Sequence, residues 1–311
     1  MSLLLDVRQP DWMEEADLAA LLAPDLPGVR IRVGIEDGPL EDVTMMAVVT
    51  LHPGAIGALP NLRLVQKLGV GVEGILRDPD LRPDIRVARL APDASSGEIA
   101  AYFLAHVLGH QCNMAAFRGA QAEAQWAPLA PRESAKTVVG VLGLGNIGAR
   151  TARSFAALGF RVVGWSRSPK QMEGVTSVSG PDGLVEVLST ADYVACILPS
   201  TAETRGLLGA GMLRRMKPGG VLLNAGRGDL IDEEALIAAL DAGHLAHAVL
   251  DVFRREPLPR DHPFWRHPRV TVTPHSSGWH LGEALGDVAE NYRRLMAGQP
   301  LLREIDRVTG Y

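Results

Sequence analysis

The feature that most constrains the fold is the segment VVGVLGLGNIG, residues 138–148. A short apolar run of strand length leads directly into the pattern G-x-G-x-x-G, and helix-forming residues follow. Gly143 permits a tight turn, Gly145 lets a phosphate approach the backbone, and Gly148 allows the helix to pack closely on the strand. The helix N-terminus offers unpaired N–H groups and partial positive charge to phosphates. The segment therefore predicts a βαβ unit that binds a dinucleotide.

Strand-like and helix-like segments alternate after this loop. Further runs of strand length are Arg161–Trp165, Tyr193–Leu198, Gly220–Asn224, Ala246–Leu250 and Arg269–Thr273. Helices are expected between them at Asn146–Leu158, Gly183–Leu188, Gly209–Met216 and Glu233–Ala242. Six strands with interposed helices indicate one doubly wound parallel sheet of the Rossmann type.

The N-terminal part of the chain shows the same alternation on a smaller scale. Apolar runs of strand length are Ser2–Val7, Val29–Gly34, Met45–Thr50 and Arg63–Leu68, with a helix expected at Trp12–Leu22. A last helix at Leu281–Ala297 is expected to return to this part. We therefore predict an α/β protein with two doubly wound parallel-sheet domains and a cleft between them. Residues 1–95 and 284–311 would form a smaller, discontinuous, flavodoxin-like domain, and residues 96–283 the dinucleotide-binding domain.

Between the two domains, Ser95 or Ser96 could cap a long helix that runs to about Ala124. Its sequence is apolar on almost every side, so several sides must be covered. The segment Ile99–Ala124 therefore predicts a homodimer formed around this helix.

Composition excludes several classes of protein. The formal net charge is −5, which favours neither nucleic acid nor an anionic membrane as a partner. No apolar run reaches the roughly 20 residues of a membrane span, and the N-terminus lacks the basic start of a signal peptide. A soluble, cytoplasmic protein is expected.

The cysteines and histidines do not predict a metal site. Cys112 and Cys196 are expected to be buried free thiols, because a disulfide framework or zinc cluster needs more cysteines at closer spacing. His244 and His247 flank a glycine, and His106 and His110 share a helix face, but neither pair has a third ligand nearby in sequence. Packing is the expected role of these histidines.

Ser166-Arg167-Ser168 follows the second strand of the larger domain, where an acidic residue would bind both hydroxyls of the adenosine ribose. Arg167 can pair with a phosphate in two-pronged fashion, and the serines can donate hydrogen bonds to it. The loop therefore predicts NADP(H) in preference to NAD(H). The alternative is a solvent-facing arginine without a ligand.

Three later segments place reactive side chains just after strands. They are LLNAGRGDL with Arg227, LDVFRREPLP with Glu256 and VTVTPHSSG with His275. In a doubly wound sheet, ligands bind beyond the carboxyl ends of strands, so these side chains are expected to converge. Taken singly, each could be structural: a surface arginine, a turn glutamate and a packed histidine.

The ordered motifs of the chain resemble those of the D-isomer-specific 2-hydroxyacid dehydrogenases, most closely their glyoxylate/hydroxypyruvate reductase branch. The resemblance covers nearly the full length and is carried by LPNLRLVQKLGVGVEGI, VGVLGLGNIG, GWSRSPK, LPSTAETRGLL, LLNAGRGDLID, LDVFRREPLP and PFWRHPRVTVTPH. It implies an enzyme that reduces a small 2-oxo acid to the D-2-hydroxy acid with NADPH.

The resemblance also implies roles for individual residues. Arg227 would bind the substrate carboxylate and polarise the carbonyl, His275 would be the general acid, and Glu256 would orient His275 and favour its protonated form. Backbone N–H groups of the loop from Gly69 through Val70 to Gly71 would also bind the carboxylate. The residues expected to contact the cofactor are Gly143, Leu144, Gly145, Asn146, Ile147, Gly148, Trp165, Ser166, Arg167, Ser168, Leu198, Pro199, Thr204, Ala225, Gly226, Arg227, Asp251, His275 and Ser277. Asp251 in particular would orient the nicotinamide carboxamide.

The chain departs from the family pattern at several positions. Glu73 replaces the usual aspartate of the substrate loop, Ala101 replaces a usually acidic helix residue, and Ser276–His280 follows the histidine in place of apolar and small residues. These changes leave substrate size and dimer contacts open. The alternatives are a reductase of a larger, aromatic or branched 2-oxo acid and a non-enzymatic NAD(P)-sensing protein that resembles a corepressor.

Overall fold

A computed structural model of the chain describes residues 1–7 and 13–307. The described residues form two compact units. Unit 1 comprises those up to Ser95 and those from His280 onward, and unit 2 comprises Ser96–Trp279. The chain returns to unit 1 at His280, earlier than the expected residue 284.

The secondary structure is a regular alternation of strands and helices. The strands are β1 (Ser2–Leu5), β2 (Arg30–Val33), β3 (Val43–Val48), β4 (Leu64–Lys67), β5 (Arg86–Arg89), β6 (Val138–Leu142), β7 (Arg161–Trp165), β8 (Val175–Val178), β9 (Tyr193–Cys196), β10 (Gly220–Asn224), β11 (Leu245–Leu250) and β12 (Val270–Val272). The helices are α1 (Glu15–Leu22), α2 (Glu73–Leu76), α3 (Asp93–Gln111), α4 (Met114–Ala122), α5 (Asn146–Ala157), α6 (Gly180–Thr190), α7 (Ala210–Leu213), α8 (Glu233–Asp241) and α9 (Gly286–Ala297). Trp12, where the first helix was expected to start, lies outside the described residues.

Unit 1 is built on a five-stranded parallel sheet in the order β2-β1-β3-β4-β5. This order is the flavodoxin-like one, in agreement with the prediction. Every residue of β1 and β3 is buried, since apolar side chains cover both faces of the sheet. The edge strand β5 was not predicted, because its arginines mask the strand pattern. Of these, Arg86 forms an ion pair with Glu304.

Unit 2 is built on a seven-stranded sheet in the order β12-β11-β10-β9-β6-β7-β8, with all neighbours parallel. The six predicted strands are present, and the order reverses direction beside β6, as in a Rossmann-type sheet. The seventh strand, β8, was missed because its sequence VTSV is short and only partly buried. Cys196 on β9 is buried, but Cys112 is exposed, so the expectation of a second buried thiol was wrong.

The predicted single helix up to Ala124 is two helices. α3 ends at Gln111, Asn113 adopts a left-handed conformation with φ of 57°, and α4 begins at Met114. Ser95 and Ser96 lie inside α3 rather than at its cap. Asparagine tolerates the left-handed region better than most residues, so it accommodates the break. The prediction was wrong because apolar residues continue on both sides of this break.

None of the described helices is long and apolar enough to cross a membrane. Among the described residues, no group of three or more His, Cys, Asp or Glu side chains could hold a metal ion.

Candidate active site

The glycine loop between β6 and α5 has the geometry of a phosphate cradle. Gly143 has φ of 101°, which side-chain-bearing residues rarely adopt. A Cβ atom on Gly148 would lie 1.7 Å from the Gly143 carbonyl oxygen, so only glycine permits this packing of α5 on the loop. A Cβ atom on Gly145 would meet no heavy atom within 4 Å, and no side chain caps α5 there. The uncapped N-terminus of α5 therefore fits a dinucleotide pyrophosphate.

The turn after β7 places a cation at the edge of this cradle. Arg167 and Ser168 are exposed, whereas Ser166 is buried and donates its hydroxyl proton to the Ser168 carbonyl oxygen at 2.8 Å. In this structure Ser166 therefore shapes the turn, and Arg167 and Ser168 face solvent. The Trp165 indole N–H donates to the Gly180 carbonyl oxygen at 2.8 Å, which ties β7 to α6.

Two further loops form the opposite wall of the cradle. The Thr204 hydroxyl donates to the Pro199 carbonyl oxygen at 2.6 Å and closes the turn that follows β9. A Cβ atom on Gly226 would lie 2.6 Å from the backbone oxygen of Leu198, so the loops after β9 and β10 are in close contact. Leu198 and Ala225 lie on these two loops, at the carboxyl edge of the sheet where the cofactor residues were expected.

Arg227 lies on a loop that Asn224 holds from inside. Asn224, the last residue of β10, is fully buried; its side chain donates to the Arg227 carbonyl oxygen at 2.9 Å and accepts from the Gly226 N–H at 3.0 Å. A Cβ atom on Gly228 would lie 1.9 Å from the Phe253 carbonyl carbon. The loop that carries Arg227 therefore packs directly on the loop that follows β11.

Asp251, at the end of β11, organises the loop that carries His275. Its fully buried carboxylate accepts the Thr273 hydroxyl at 2.6 Å and the Ser276 and Ser277 N–H groups at 2.9 and 3.0 Å. Its backbone oxygen accepts the His275 N–H at 2.8 Å. His275 itself has φ of 51°, an uncommon conformation for a non-glycine residue that these bonds hold in place.

His275 and Glu256 are hydrogen-bonded to each other. His275 Nδ1 lies 2.7 Å from Glu256 Oε2, and Oε1 of the same carboxylate accepts the Phe253 N–H at 2.8 Å. Burial acts to raise the pKa of the Glu256 carboxyl, but the hydrogen bond and charge of His275, the Phe253 N–H and the charge of Arg227 outweigh it and lower the pKa. Glu256 is therefore an anion beside His275, and the charge of Arg227 adds to the lowering of its pKa.

The predicted substrate loop belongs to unit 1. It follows β4, and the backbone oxygens of Gly69 and Val70 accept hydrogen bonds from the Leu90 N–H at 3.0 Å and from Arg89 at 3.4 Å. Gly69 and Val70 take part in these bonds through their carbonyl oxygens and not through their own N–H groups. Gly71 follows directly, before Glu73 begins α2.

Sequence reasoning missed several residues that shape the site. Asn224 and Thr273 position the Arg227 and His275 loops, and Tyr102 of α3 contacts Thr273 through its hydroxyl at 2.9 Å. Asn224 carries a usable signal, since a polar residue that ends an apolar strand must find buried partners. Tyr102 carries no such sequence signal, because its partner Thr273 is distant in sequence.

A family model described as "D-isomer specific 2-hydroxyacid dehydrogenase, NAD binding domain" matches residues 104–277. The chain belongs to the D-isomer specific 2-hydroxyacid dehydrogenase family. The dehydrogenase is 38% identical to a glyoxylate/hydroxypyruvate reductase A of Serratia proteamaculans (strain 568). The alignment spans 257 residues, which are 81% of this chain and 82% of that protein. The family places the dehydrogenase among the NAD(P)-dependent oxidoreductases.

Solved structures of the family share the fold of the dehydrogenase over its whole length. A D-isomer specific 2-hydroxyacid dehydrogenase from Xanthobacter autotrophicus Py2, in complex with NADPH and MES, matches with a TM-score of 0.91 and 38% identity, covering 100% of this chain and 99% of that one. An NADPH-dependent glyoxylate/hydroxypyruvate reductase from Sinorhizobium meliloti, in complex with NADP and sulfate, matches with a TM-score of 0.91 and 31% identity, covering 100% of both chains.

Proposed function

We propose that this dehydrogenase reduces a small 2-oxo acid, glyoxylate or hydroxypyruvate, to the 2-hydroxy acid (the D form where the product is chiral), with NADPH as the preferred cofactor. The observation that carries the proposal is the pair of His275 Nδ1 and Glu256 Oε2 at 2.7 Å, and the charge of Arg227 also favours the ionised Glu256. The relatives support the choice of substrate, since the Serratia and Sinorhizobium proteins are named for these two 2-oxo acids.

Three side chains would carry the chemistry. Arg227 would bind the substrate carboxylate with two parallel N–H groups and polarise the neighbouring carbonyl. NADPH, when bound, supplies the hydride for the carbonyl carbon. His275 would give the proton on Nε2 to the carbonyl oxygen, while Glu256 accepts the hydrogen bond from Nδ1–H and stabilises the imidazolium. His275 has half of its side chain exposed, so a substrate can reach it.

The cofactor would lie along the carboxyl edge of β6, β7, β9 and β10. The uncapped N-terminus of α5 would bind the pyrophosphate, and Arg167 and Ser168 would bind the 2′-phosphate that distinguishes NADPH. Asp251 already accepts three hydrogen bonds through its carboxylate. Because a carboxylate has about four acceptor sites, one remains for the nicotinamide carboxamide. The proposal that Ser277 and the loop after β9 also contact the cofactor rests on their places at this edge.

Binding of the substrate carboxylate by the backbone of Gly69, Val70 and Gly71 stays part of the proposal. The N–H groups of this loop would donate to the carboxylate. Two of its carbonyl oxygens accept hydrogen bonds within unit 1.

The departures from the family pattern bear on substrate size. The Trp279 N–H donates to Glu98 at 2.6 Å, which ties the segment after His275 to α3.

A screen of NADPH oxidation over glyoxylate, hydroxypyruvate, pyruvate and phenylpyruvate tests the proposal. We expect kcat/KM to be highest with glyoxylate or hydroxypyruvate, and NADH to be a poorer cofactor in the same assay. A preference for phenylpyruvate would replace the substrate with a larger 2-oxo acid. Absence of turnover with every 2-oxo acid, despite tight NADPH binding, would favour the sensor instead.

We also propose a homodimer built around α3 and α4. α4 has no buried residue, and large apolar side chains on it and just after it are exposed: Met114, Phe117, Trp126 and Leu129. Exposed apolar side chains clustered in one short stretch are typical of an interaction surface.

A cytoplasmic location stays a prediction from the sequence.

A further inference from the structure

The hydroxyl of Tyr102 begins a directed chain of hydrogen bonds that ends in the proton-donor loop. Tyr102 Oη lies 2.9 Å from Thr273 Oγ1, which lies 2.6 Å from Asp251 Oδ1. A threonine hydroxyl has one proton, and a carboxylate oxygen only accepts, so Thr273 donates to Asp251. Thr273 must therefore accept from Tyr102. The order Tyr102 to Thr273 to Asp251 is the only one that the proton count allows.

The end of this chain is the residue that shapes the loop. Asp251 holds Ser276 and Ser277 by their N–H groups, and its backbone oxygen holds the His275 N–H. These bonds keep His275 in its left-handed conformation. A rotation of the Asp251 carboxylate would release both serine N–H groups together and let the imidazole move away from Glu256.

The start of the chain is fixed by packing in α3. The Tyr102 ring makes edge contacts with the His106 and Phe103 rings, with centroids 4.5 and 5.7 Å apart. Burial raises the pKa of the Tyr102 hydroxyl well above its usual value and outweighs the opposing effect of the Thr273 bond. Tyr102 therefore keeps its proton, and remains a donor, at every pH at which the enzyme can be assayed.

We propose that Tyr102 is a positioning residue for the reaction: through Thr273 it locks the Asp251 carboxylate, and thereby the loop that presents His275. This inference rests on the proposed function, in which His275 is the proton donor. It gives a side chain of α3 a part in the reaction through its bond to Thr273.

The test is Tyr102→Phe, with Tyr193→Phe as the matched control. Tyr193 also has a buried hydroxyl bonded to a side chain of α3, His110 Nδ1 at 2.8 Å, and among the described residues it makes no hydrogen bond to the His275 loop. Tyr102→Phe loses the bond to Thr273, and Tyr193→Phe loses the bond to His110 together with the one to Arg132. We expect Tyr102→Phe to lower kcat by about 2- to 10-fold with KM for NADPH unchanged, and Tyr193→Phe to keep the wild-type kcat. Equal kcat values for the two variants would overturn the inference.

Substitutions of Thr273 provide a second, independent test of the inference. Thr273→Val removes the hydroxyl that bonds to a charged acceptor and should lower kcat by about 10- to 100-fold, whereas Thr273→Ser should restore most of it. Adding Tyr102→Phe to Thr273→Val should cost less than about 2-fold more, since the partner of the tyrosine is already absent. Additive losses would show that Tyr102 acts by another route.

A measurement without turnover separates this inference from the proposed function. Hydrogen exchange at the Ser276 and Ser277 amides should be about 2- to 10-fold faster in Tyr102→Phe than in Tyr193→Phe, whatever the substrate is. If the wild-type enzyme reduces no 2-oxo acid, the proposed function fails, and this comparison still decides whether Tyr102 locks the loop that carries His275. If the wild type is active and exchange is unchanged in Tyr102→Phe, only the inference fails.

Discussion

At the scale of single residues, the proposed preference for NADPH depends on the turn after β7. Arg167 lies just after β7, in the turn where an acidic side chain would exclude a 2′-phosphate. Its neighbour Ser166 is occupied by the bond to the Ser168 carbonyl oxygen. In the proposed function, recognition of the 2′-phosphate would therefore fall mainly on Arg167 and Ser168.

Arg167→Ala should weaken the use of NADPH by about 10- to 150-fold and leave the use of NADH nearly unchanged, because one charge-assisted contact is lost. The measurement is kcat/KM with each cofactor at saturating 2-oxo acid. Arg161→Ala is the matched control, as this exposed arginine begins the same strand at the opposite edge of the sheet. A wild-type preference for NADH would contradict the assignment.

The pair of His275 and Glu256 predicts a specific pH dependence. Glu256 has a lowered pKa and stays ionised above that value, so the activity limb at higher pH belongs to the proton donor. In Glu256→Gln the imidazolium loses its counter-charge, and this limb should move to lower pH. The measurement is kcat against pH with saturating NADPH. An unmoved limb would separate Glu256 from the proton donor.

His275→Asn should lower kcat by about 10²- to 10⁴-fold, because the proton donor is removed while the loop keeps its polar side chain. Binding of NADPH, followed by its fluorescence, should stay close to that of the wild type. A variant that retained most of its kcat would exclude His275 as the general acid.

At the scale of elements, three half-buried histidines lie where α3 packs on the sheet within unit 2: His106 and His110 of α3 and His247 of β11. Burial, followed by the charges of His110, His106 and His267, lowers the pKa of His247 to about 4. Burial also lowers the pKa of both His106 and His110. His247 bonds Thr271 of β12 at 2.9 Å and lies with its ring centroid 6.5 Å from that of His110. Tyr193, Arg132 and Asp251 also face this group of histidines.

This packing predicts a loss of stability in acid. A histidine whose pKa is lower in the folded state than the ordinary value of about 6.5 binds its proton more tightly when unfolded. Its contribution to stability is therefore complete above about pH 6.5 and is lost as pH falls toward about 4. His247→Gln should make the fall of Tm between these values shallower and leave the difference from the wild type constant between pH 7 and 8. Parallel curves at all pH values would show that His247 does not contribute.

At the scale of the whole molecule, the proposed homodimer is the property to be tested. We expect sedimentation at micromolar concentration to give a dimer, and Phe117→Glu to shift it toward monomer by placing a charge in the interface. Leu158→Glu is the control, since Leu158 is similarly exposed but lies at the end of α5. A wild-type monomer would contradict the proposal.

The amino-acid sequence by itself determined the elements and their class. Alternating apolar runs and helical segments predicted both parallel sheets, and VVGVLGLGNIG predicted the junction of β6 with α5, because these signals are contained in a few consecutive residues. The errors arose where a local signal was weak. Polar residues masked β5 and β8, and an unbroken apolar pattern hid the turn at Asn113.

Only the tertiary structure decided how the site is held together. Tyr102 and Thr273 are 171 positions apart, and Asp251 and Ser277 are 26 apart, so no local pattern relates them. The left-handed conformation of His275 likewise results from its hydrogen bond to Asp251 in a separate loop. Sequence periodicity reports which face of an element is buried, whereas hydrogen bonds between distant loops are determined by packing, which brings their partners within reach.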